Sequence, residues 1–470
     1  MKKLIKIVLL IIFCLIILMA GLALITQTDW FKAALKDKLV ELANQNINGS
    51  LAIEKLEGNF LTRIELQDLS LCLDENDTLL TIKKIEVKYA PLYLLEQQIK
   101  IRLFHIDSAD IHIVQENDSS YNFSRLIPES NKQIEEEDAK PFAFTLLLDE
   151  FLFSNGSLLL NMTDSIIPKK IEDLNIDLKG KYATNDLLLT LNNFSFVSHR
   201  PNFYLKSLHA QLQSDLNTWT LRDFKMTTAM NELLLDGNYQ GPQAFEAKLE
   251  WPQIRSEEFS FVLPDIKIPA RPRLHFHTAS SDGNLDLDIK LQSNNESIAL
   301  SGTIKQYEAL LSDSLRHKAS LNLGLKLKDF RPNNWLEIDS LPLLLNTQLQ
   351  ITGNGLSQQA EPLLVKGKLD GTEWEKYLLT KGDIDLSYLA GITSANVLVQ
   401  GSFGELATKG SIDLHNEEGP FKLTLNTSNL ALHQIIPDII DSSIVNLSFE
   451  ASGRGLASGS PSARFKGLIK

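Results

Sequence analysis

The sequence predicts a mainly β protein: an elongated antiparallel sheet preceded by one transmembrane helix and one short amphipathic helix. Three observations lead to this fold class. An uncharged apolar run lies near the N-terminus, a short stretch of helical periodicity follows it, and apolar and polar residues alternate from Ser50 to the end of the 470-residue chain. Strict alternation gives each strand one apolar face and one wet face, which is typical of antiparallel sheet.

The composition argues against several functional classes. The chain carries 46 Lys and Arg against 59 Asp and Glu, a formal net charge of −13. Nucleic-acid binding is disfavoured, because neutralisation of phosphates supplies most of that affinity. Cys14 lies inside the apolar run and Cys72 far beyond it, so a disulfide between them is not expected. The sequence predicts no cofactor.

The first element is a predicted signal anchor over residues 1–28. Its apolar run extends without a charge from Ile7 to Ile25, and at about 1.5 Å per residue a helix of this length spans roughly 28 Å, close to a bilayer core. A cleaved signal peptide is the alternative, but cleavage after Ala20 or Ala23 would cut inside the run. The positive-inside rule places the N-terminus in the cytoplasm and the rest outside, as a single-pass membrane protein. The basic residues are Lys2, Lys3 and Lys6, and the predicted membrane-anchor residues are Ile7, Leu10, Phe13, Ile17, Leu24 and Ile25.

An amphipathic helix is predicted over residues 29–49. Phe31, Leu35, Leu39 and Leu42 recur at helical spacing between charged residues. We expect Asp29 to cap its start and Gly49 to stop it. Two placements are open: the helix packs onto the end of the next domain, which we favour, or it lies on the membrane surface.

Period-two alternation then defines two β segments, residues 50–128 and 141–470. Between them, residues 129–140 are strongly charged and are interpreted as an acidic linker or a long loop. The alternation slips in phase at Asp68. At about 12 residues per strand and turn, roughly 35 strands are expected. The positions predicted to share one apolar face are Leu174, Ile176, Leu178, Leu285, Leu287, Ile289, Leu291, Leu321, Leu323, Leu325, Leu327, Phe421, Leu423 and Leu425.

The C-terminal segment contains an internal echo. Residues 346–356 and 446–456 both read as a strand that ends in a G-x-G-L turn, and residues 401–404 are a weaker copy. Repeated strand and turn units favour an elongated stack over a closed barrel. Coincidence of turn chemistry in an all-β protein is the alternative.

The search for catalytic and metal motifs predicts that the protein is not an enzyme. The sequence has no G-x-S-x-G elbow, H-E-x-x-H, Walker A loop or C-x-x-C. His275 and His277 share one strand face and could begin a metal site, but a solvent-facing pair is preferred, so no metal is predicted. Asp286 and Asp288 are interpreted as a hydrophilic face. Gly353-Asn-Gly355 is interpreted as a turn rather than a phosphate cradle.

These residues resemble the N-terminal part of TamB-type proteins, within the wider AsmA-like group of envelope proteins. The resemblance rests on the order of anchor, short helix and strands, and it is strongest over residues 1–160. The chain ends at Lys470 without the C-terminal domain of longer members, so we expect an N-terminal portion or a truncated member. The matching stretches are 53–58, 64–71, 82–87, 91–95, 111–113, 120–127, 148–156 and the turns at 353–356 and 453–456.

The resemblance implies a sheet folded lengthwise into a U-shaped apolar groove and a role in cell-envelope biogenesis. The first function expected from it is a bridge that conducts phospholipid between inner and outer membrane, with the fourteen apolar positions above lining the path of the acyl chains. The alternative is a scaffold that works with an outer-membrane barrel of the TamA or BamA type to insert or secrete β-barrel proteins. Charges placed in the groove would discriminate between the two.

Overall fold

The computed structural model describes residues 21, 24–74, 77–117, 120–126, 144–162, 167–264, 266–336, 343–374, 377–416, 418–431, 443–455 and 462–469. The chain divides into two compact units, Met1–Glu232 and Leu233–Lys470. The prediction of a mainly β protein is confirmed in both units. Ile7, Leu10, Phe13 and Ile17 of the predicted anchor, and the acidic segment 129–140, lie outside the described residues.

Within those described ranges, we find no helix that is both long enough and apolar enough to cross a membrane.

The α-helix α1 (Asp29–Asn46) precedes the first strand. Its N-cap is Thr28 rather than Asp29, because the Thr28 hydroxyl accepts a hydrogen bond from the Phe31 N–H at 3.3 Å. The helix ends before Gly49, since Ile47 already has extended backbone. It lies beside the edge strand: the side chain of Asn44 accepts from the Leu51 N–H at 2.6 Å and donates to the Leu51 carbonyl at 3.2 Å. The helix therefore occupies backbone groups that an edge strand would otherwise expose.

The first unit is a sheet in which consecutive strands are neighbours, and β5 is a short strand beside β4. Every pairing is antiparallel except that of β4 with β6, which is parallel. The strands are β1 (Ser50–Gly58), β2 (Arg63–Asp74), β3 (Asp77–Tyr89), β4 (Gln98–Asn117), β5 (Ser120–Tyr121), β6 (Thr145–Asn161), β7 (Lys170–Ala183), β8 (Asp186–His199), β9 (Phe203–Ser214) and β10 (Trp219–Thr228).

The parallel pair corrects the expectation of a purely antiparallel sheet. Two parallel neighbours need a connection that returns the chain to the starting end. The 20 residues of β4 extend about 65 Å at ~3.3 Å per residue, and β6 begins beside the start of β4, where Thr145 stands opposite Gln98. The connection from β5 to β6 includes the acidic segment 129–140, which lies outside the described residues.

A line of phase slips crosses the first strands. In each of β1 to β4, two successive apolar residues are at one place three positions apart instead of two. These residues still stand opposite one another across all four strands. One row across the sheet is Leu56, Leu66, Ile85 and Ile106, and the next is Ile53, Leu69, Ile82 and Ala109. Asp68 and Ser108 take up the extra residue with left-handed backbone, φ 52° and 56°, which short polar residues tolerate best. The predicted slip at Asp68 is thus shared by its neighbours, so the apolar residues stay on one face.

The second unit is an antiparallel sheet with a separate pair, β24 and β25. Its strands are β11 (Glu232–Tyr239), β12 (Ala244–Trp251), β13 (Arg273–Ser281), β14 (Asn284–Ser293), β15 (Glu296–Lys305), β16 (Ser320–Phe330), β17 (Leu343–Gly353), β18 (Leu363–Leu369), β19 (Thr372–Trp374), β20 (Tyr377–Leu389), β21 (Ile392–Gly401), β22 (Gly404–Asp413), β23 (Pro420–Ser428), β24 (Leu430–Ala431), β25 (Ile444–Val445), β26 (Leu447–Arg454) and β27 (Ser462–Ile469). A short helix, α2 (Pro332–Leu336), precedes β17. The estimate of about 35 strands was too high for the described residues, because many strands exceed the assumed length.

Asn122 stabilises the start of the crossover in the first unit. Its side chain is 1% exposed, accepts from the N–H groups of Val114 and Phe123 at 3.0 Å each, and donates to the His112 carbonyl at 3.1 Å. These bonds hold the 3-10 helix Asn122–Leu126 against the end of β4.

We predict that Asn122→Ala loosens the parallel pair. Leaving these buried backbone groups unpaired costs about 1–3 kcal/mol, so the amides of residues 110–126 should exchange with deuterium roughly tenfold faster when measured by mass spectrometry. Asn192→Ala is the control, since Asn192 is exposed and makes one bond to Asp177 at 2.9 Å. Equal exchange in the two variants would contradict a stabilising role for Asn122.

Candidate functional site

The apolar face of the second unit is formed by residues that stand directly opposite one another on successive strands. Such residues lie on the same side of a sheet. Ile289 of β14 pairs with Leu300, and Leu300 pairs with Leu325 of β16. The row continues to both sides through Leu235, Leu249 and Phe276, and through Leu349, Gly367, Ile384, Val397, Thr408, Leu425, Phe449 and Gly467. Strands distant in the sequence thus contribute to one surface.

Parallel rows widen this apolar face. Leu287 and Leu323 both stand opposite Gly302, and their row continues through Ile351, Val365, Leu386, Ala395, Gly410, Leu423, Ala451 and Phe465. Leu285 and Leu321 lie in the row of Ile304, Leu291 and Leu327 in that of Ile298, and Phe421 in that of Ile412. All eleven positions predicted in this unit therefore share one face.

The three positions predicted in the first unit share a face with its own apolar residues. Ile176 stands opposite Phe153 and Phe194, and Leu178 opposite Phe151 and Leu191. Leu174 stands opposite Gly156. Through the parallel pair, Phe151 also packs edge-on against Phe104, with ring centroids 5.5 Å apart. The apolar face of the first unit thus continues across the parallel junction.

The apolar side chains are packed from the sides but are not fully covered. Of the fourteen predicted positions, Leu323 is buried, Leu423 is 40% exposed, and the other twelve are half-buried. On the opposite face of β14, Asp286, Asp288 and Lys290 are exposed. In a closed two-layer core most of these leucines would be buried. Their partial exposure leaves an apolar surface that can accept an apolar ligand.

An apolar pocket of about 400 Å³ opens on this face where β21, β22, β23, β26 and β27 lie side by side. Its volume is within the range of small-molecule sites. Ala395, Gly410 and Ala451 form its floor because they lack bulk, and the larger residues around them are Ile412, Phe421, Leu423, Phe449 and Phe465. Phe449 and Phe465 stack with centroids 5.8 Å apart. Sequence reasoning omitted Phe465, although the alternation of Ala463, Phe465 and Gly467 could have identified it.

A larger concavity, of about 770 Å³, lies on the opposite, polar face of the same unit. The side chains around it include Lys326, Lys366, Lys368, Asp383 and Asp385. Opposite charges alternate there across β18 and β20, since Lys368 stands opposite Asp383 and Lys366 opposite Asp385. These charged groups suit water rather than hydrocarbon, although Leu398 also lines the concavity.

The predicted histidine pair lies on the polar face, as expected. His275 Nδ1 is hydrogen-bonded to Glu250 Oε1, and His277 Nε2 lies 3.0 Å from Glu246 Oε1. Each imidazole therefore pairs with a carboxylate on the neighbouring strand. Across the described residues, no cluster of three or more His, Cys, Asp or Glu side chains is arranged to hold a metal ion. On the same face, Asp286 accepts a hydrogen bond from Thr303 at 2.6 Å and Asp288 is exposed, and we assign neither carboxylate a chemical role.

The two G-x-G stretches are turns that end strands. Gly353 and Gly355 after β17 have φ of 83° and 64°, and Gly455 after β26 has φ of 75°, values that favour glycine. Asn354, between the first pair, is buried and donates to the carbonyls of Arg316 and His317 at 3.1 Å each. Its side chain thus holds the preceding loop, and the interpretation of 353–355 as a turn is consistent with this geometry.

A charged network covers the polar face of β2 and β3 in the first unit. Glu65 and Glu86 are buried and stand directly opposite one another, an arrangement that is unfavourable without cations. Arg63 Nε lies 2.7 Å from Glu86, and Lys84 Nζ lies 3.4 Å from Glu65 and 3.3 Å from Glu86. Burial raises the pKa of Glu65, but the hydrogen bond from Gln67 and the charges of Lys84 and Arg63 outweigh it and lower that pKa. The pKa of Glu86 is lowered likewise: burial raises it, and Lys88 and Lys84 prevail.

We predict that Lys84→Met makes this network sensitive to acid at a higher pH. A carboxylate whose pKa is lowered by folding stabilises the protein above its unfolded pKa, and that stability is lost as pH falls through the folded pKa. Removing Lys84 raises the folded pKa values of both Glu65 and Glu86. As pH falls, the loss of stability should therefore begin at a higher pH, nearer the ordinary pKa of Glu. The measurement is deuterium exchange of β2 and β3 against pH, with Lys290→Met, on the exposed face of β14, as the control. An unchanged pH dependence would contradict the assigned role of Lys84.

Comparison with known proteins gives one match. The family model described as "AsmA family" matches residues 1–315, about two thirds of the chain. No curated protein matches the sequence, and no solved structure matches it. The matched residues include the segment after the predicted anchor, all strands of the first unit, and the strands of the second unit up to β15. The extent of this match shows that the chain belongs to the AsmA family.

Proposed function

We propose that this protein is anchored in the inner membrane and conducts phospholipid between the inner and outer membranes along its apolar faces. The observation that carries the proposal is the set of continuous rows of half-buried apolar side chains, each on one face of a sheet whose other face is charged. Membership of the AsmA family supports a role in envelope biogenesis or lipid transport.

The energetics suit an acyl chain. Moving about 15 methylenes from water onto an apolar surface gains on the order of 12 kcal/mol at ~0.8 kcal/mol per methylene. The headgroup can stay in water, because a ligand lying on an open face need not bury its polar end. Within one row, residues on neighbouring strands offer nearly equivalent binding positions about 4.8 Å apart. A chain bound in one position can therefore move to the next without crossing a polar barrier.

The polar concavity of the second unit is a poor alternative path for acyl chains, because charged side chains surround it. Its lysine and aspartate side chains would have to lose water to hydrocarbon, at a cost of several kcal/mol for each unpaired charge. We therefore assign the acyl chains to the apolar face of the sheet and water to its charged face. From the resemblance to TamB-type proteins, we further propose that the sheet folds lengthwise into a U-shaped groove and works with an outer-membrane partner.

One prediction of this proposal concerns the anchor. A retained, N-in anchor predicts that the protein isolated from membranes keeps the residues before Ala20, because the apolar run from Ile7 to Ile25 would be held in the bilayer. Intact-mass spectrometry of the membrane fraction measures this directly. A mature chain that begins after Ala20 or Ala23 would show that the run is a cleaved signal peptide.

Another prediction of this proposal concerns the apolar face of the second unit. A photo-crosslinking amino acid at position 287 or 323 should capture phospholipid, and one at 288 should not, because Asp288 follows Leu287 but is exposed on the opposite face. Leu287→Asp should reduce lipid supply to the outer membrane by placing a charge where acyl chains must pass. The fold should be largely retained, since Leu287 is only half-buried and the new carboxylate keeps contact with water.

Asn322→Asp is the matched control for charge, because it adds the same negative charge and Asn322 is exposed on the polar face beside Leu323. It should leave lipid supply and protease resistance unchanged. If Leu287→Asp is instead degraded throughout, the leucine belongs to a closed core. If crosslinkers at 287 and 323 capture nascent barrel proteins and no lipid, the scaffold function replaces the conduit.

A further inference from the structure

We propose that the turn between β3 and β4 is a membrane-contact loop, which inserts its leucines into the bilayer interface beside the anchor. The turn consists of the 3-10 helix Pro91–Glu96. Leu92 is 75% exposed and Leu95 85%, and Leu94 is also exposed. Three exposed leucines in four residues are unusual on a surface that only water contacts. The proposal rests on the retained anchor, and it does not require the lipid path.

The loop presents these leucines from an ordered backbone. The Ala90 N–H donates to the Lys100 carbonyl at 3.0 Å, and the Gln97 N–H donates to the Leu94 carbonyl at 3.1 Å. The Gln97 carbonyl in turn accepts from the Thr145 N–H at 3.1 Å, which ties the loop to β6. Exposure of the leucines is therefore built into the turn and is not the result of a loosely held chain.

Other exposed apolar residues lie at the same end of the first unit. The turn 59–62, between β1 and β2, is next to the loop, because the Tyr89 N–H donates to Thr62 at 2.9 Å and the Tyr89 hydroxyl donates to Phe60 at 2.6 Å. The start of α1 contacts this turn through the rings of Phe31 and Phe60, 5.7 Å apart. β1 and β4 are three strand spacings apart, about 15 Å. The exposed apolar side chains at this end are Leu24, Ile25, Trp30, Leu92, Leu94, Leu95 and Phe144.

The position of the apolar run identifies the partner as a lipid bilayer. Leu24 and Ile25 are the last residues of the run that is expected to span the membrane, and the Thr26 hydroxyl donates to the Asn59 carbonyl at 3.2 Å. The chain therefore enters the first unit at the end where the exposed leucines lie. Trp30 and Tyr93 add aromatic rings, which favour the membrane interface, and Lys100 Nζ lies 5.2 Å from the Tyr93 ring centroid. Such a contact would hold this end of the sheet at the membrane surface.

The test uses the full chain in vesicles of phosphatidylethanolamine and phosphatidylglycerol. A photo-crosslinking amino acid replaces Leu95 in one variant and Leu311 in the other. Leu311 is the matched control, because it also lies in a 3-10 helix, Tyr307–Leu311, and is 86% exposed. Lipid adducts measured by mass spectrometry should be at least about tenfold more abundant at 95. Equal yields, or capture of protein at 95, would overturn the proposal.

Three further variants separate this contact from other sources of lipid. With the crosslinker at position 94, Leu92→Gln combined with Leu95→Gln should lower the adduct about tenfold, while Leu310→Gln combined with Leu311→Gln should not. Leu287→Asp, which interrupts the proposed lipid path, should leave the yield at 95 unchanged. A loss at 95 in that variant would assign the lipid to the path and refute the membrane contact. The intact mass of each variant reports separately whether the anchor is retained.

Discussion

The register of the strand ladder is the constraint on which the rest of this structure depends. Side chains alternate between the two faces of a strand, so a shift of one residue would move every apolar group of that strand to the wet face. In β14, β15 and β16 the register holds Ile289, Leu300 and Leu325 in line. The apolar face exists only because this alignment is repeated from strand to strand.

Departures from two-residue alternation are tolerated where neighbouring strands make the same departure at the same level of the sheet. The slip in β2 at Asp68 would break the apolar face if β1 and β3 did not slip at the same level. In the parallel pair, polar side chains accompany the slip in β4: Asn155 of β6 donates to Asp107 at 2.8 Å, and Ser154 donates to Asp107 at 3.0 Å. The hydrogen bond from Asn155 lowers the pKa of Asp107, although partial burial opposes it. These bonds let two long strands stay in register past an irregular residue.

The two faces perform different physical tasks. On the polar face, cross-strand pairs such as Lys84 with Glu65 and Arg63 with Glu86 balance charges that would otherwise repel between neighbouring strands. On the apolar face, small residues such as Gly410 and Ala451 leave room between aromatic rings. The proposed lipid path needs both faces, because an acyl chain requires an apolar surface while the other side of the sheet stays in contact with water.

The sequence by itself determined the β class, the helix after the apolar run and the face on which each leucine lies, because alternation and helical spacing are local properties of the chain. The parallel pairing of β4 with β6 was not predictable, since residues far apart in sequence decide it and the acidic connection carries no signal of direction. The sharing of slips among strands, the pocket around Phe449 and Phe465, and the exposed leucines beside the start of α1 depend on which strands become neighbours. Only the tertiary structure decided these features, because each is a contact between segments that the chain's local pattern leaves independent.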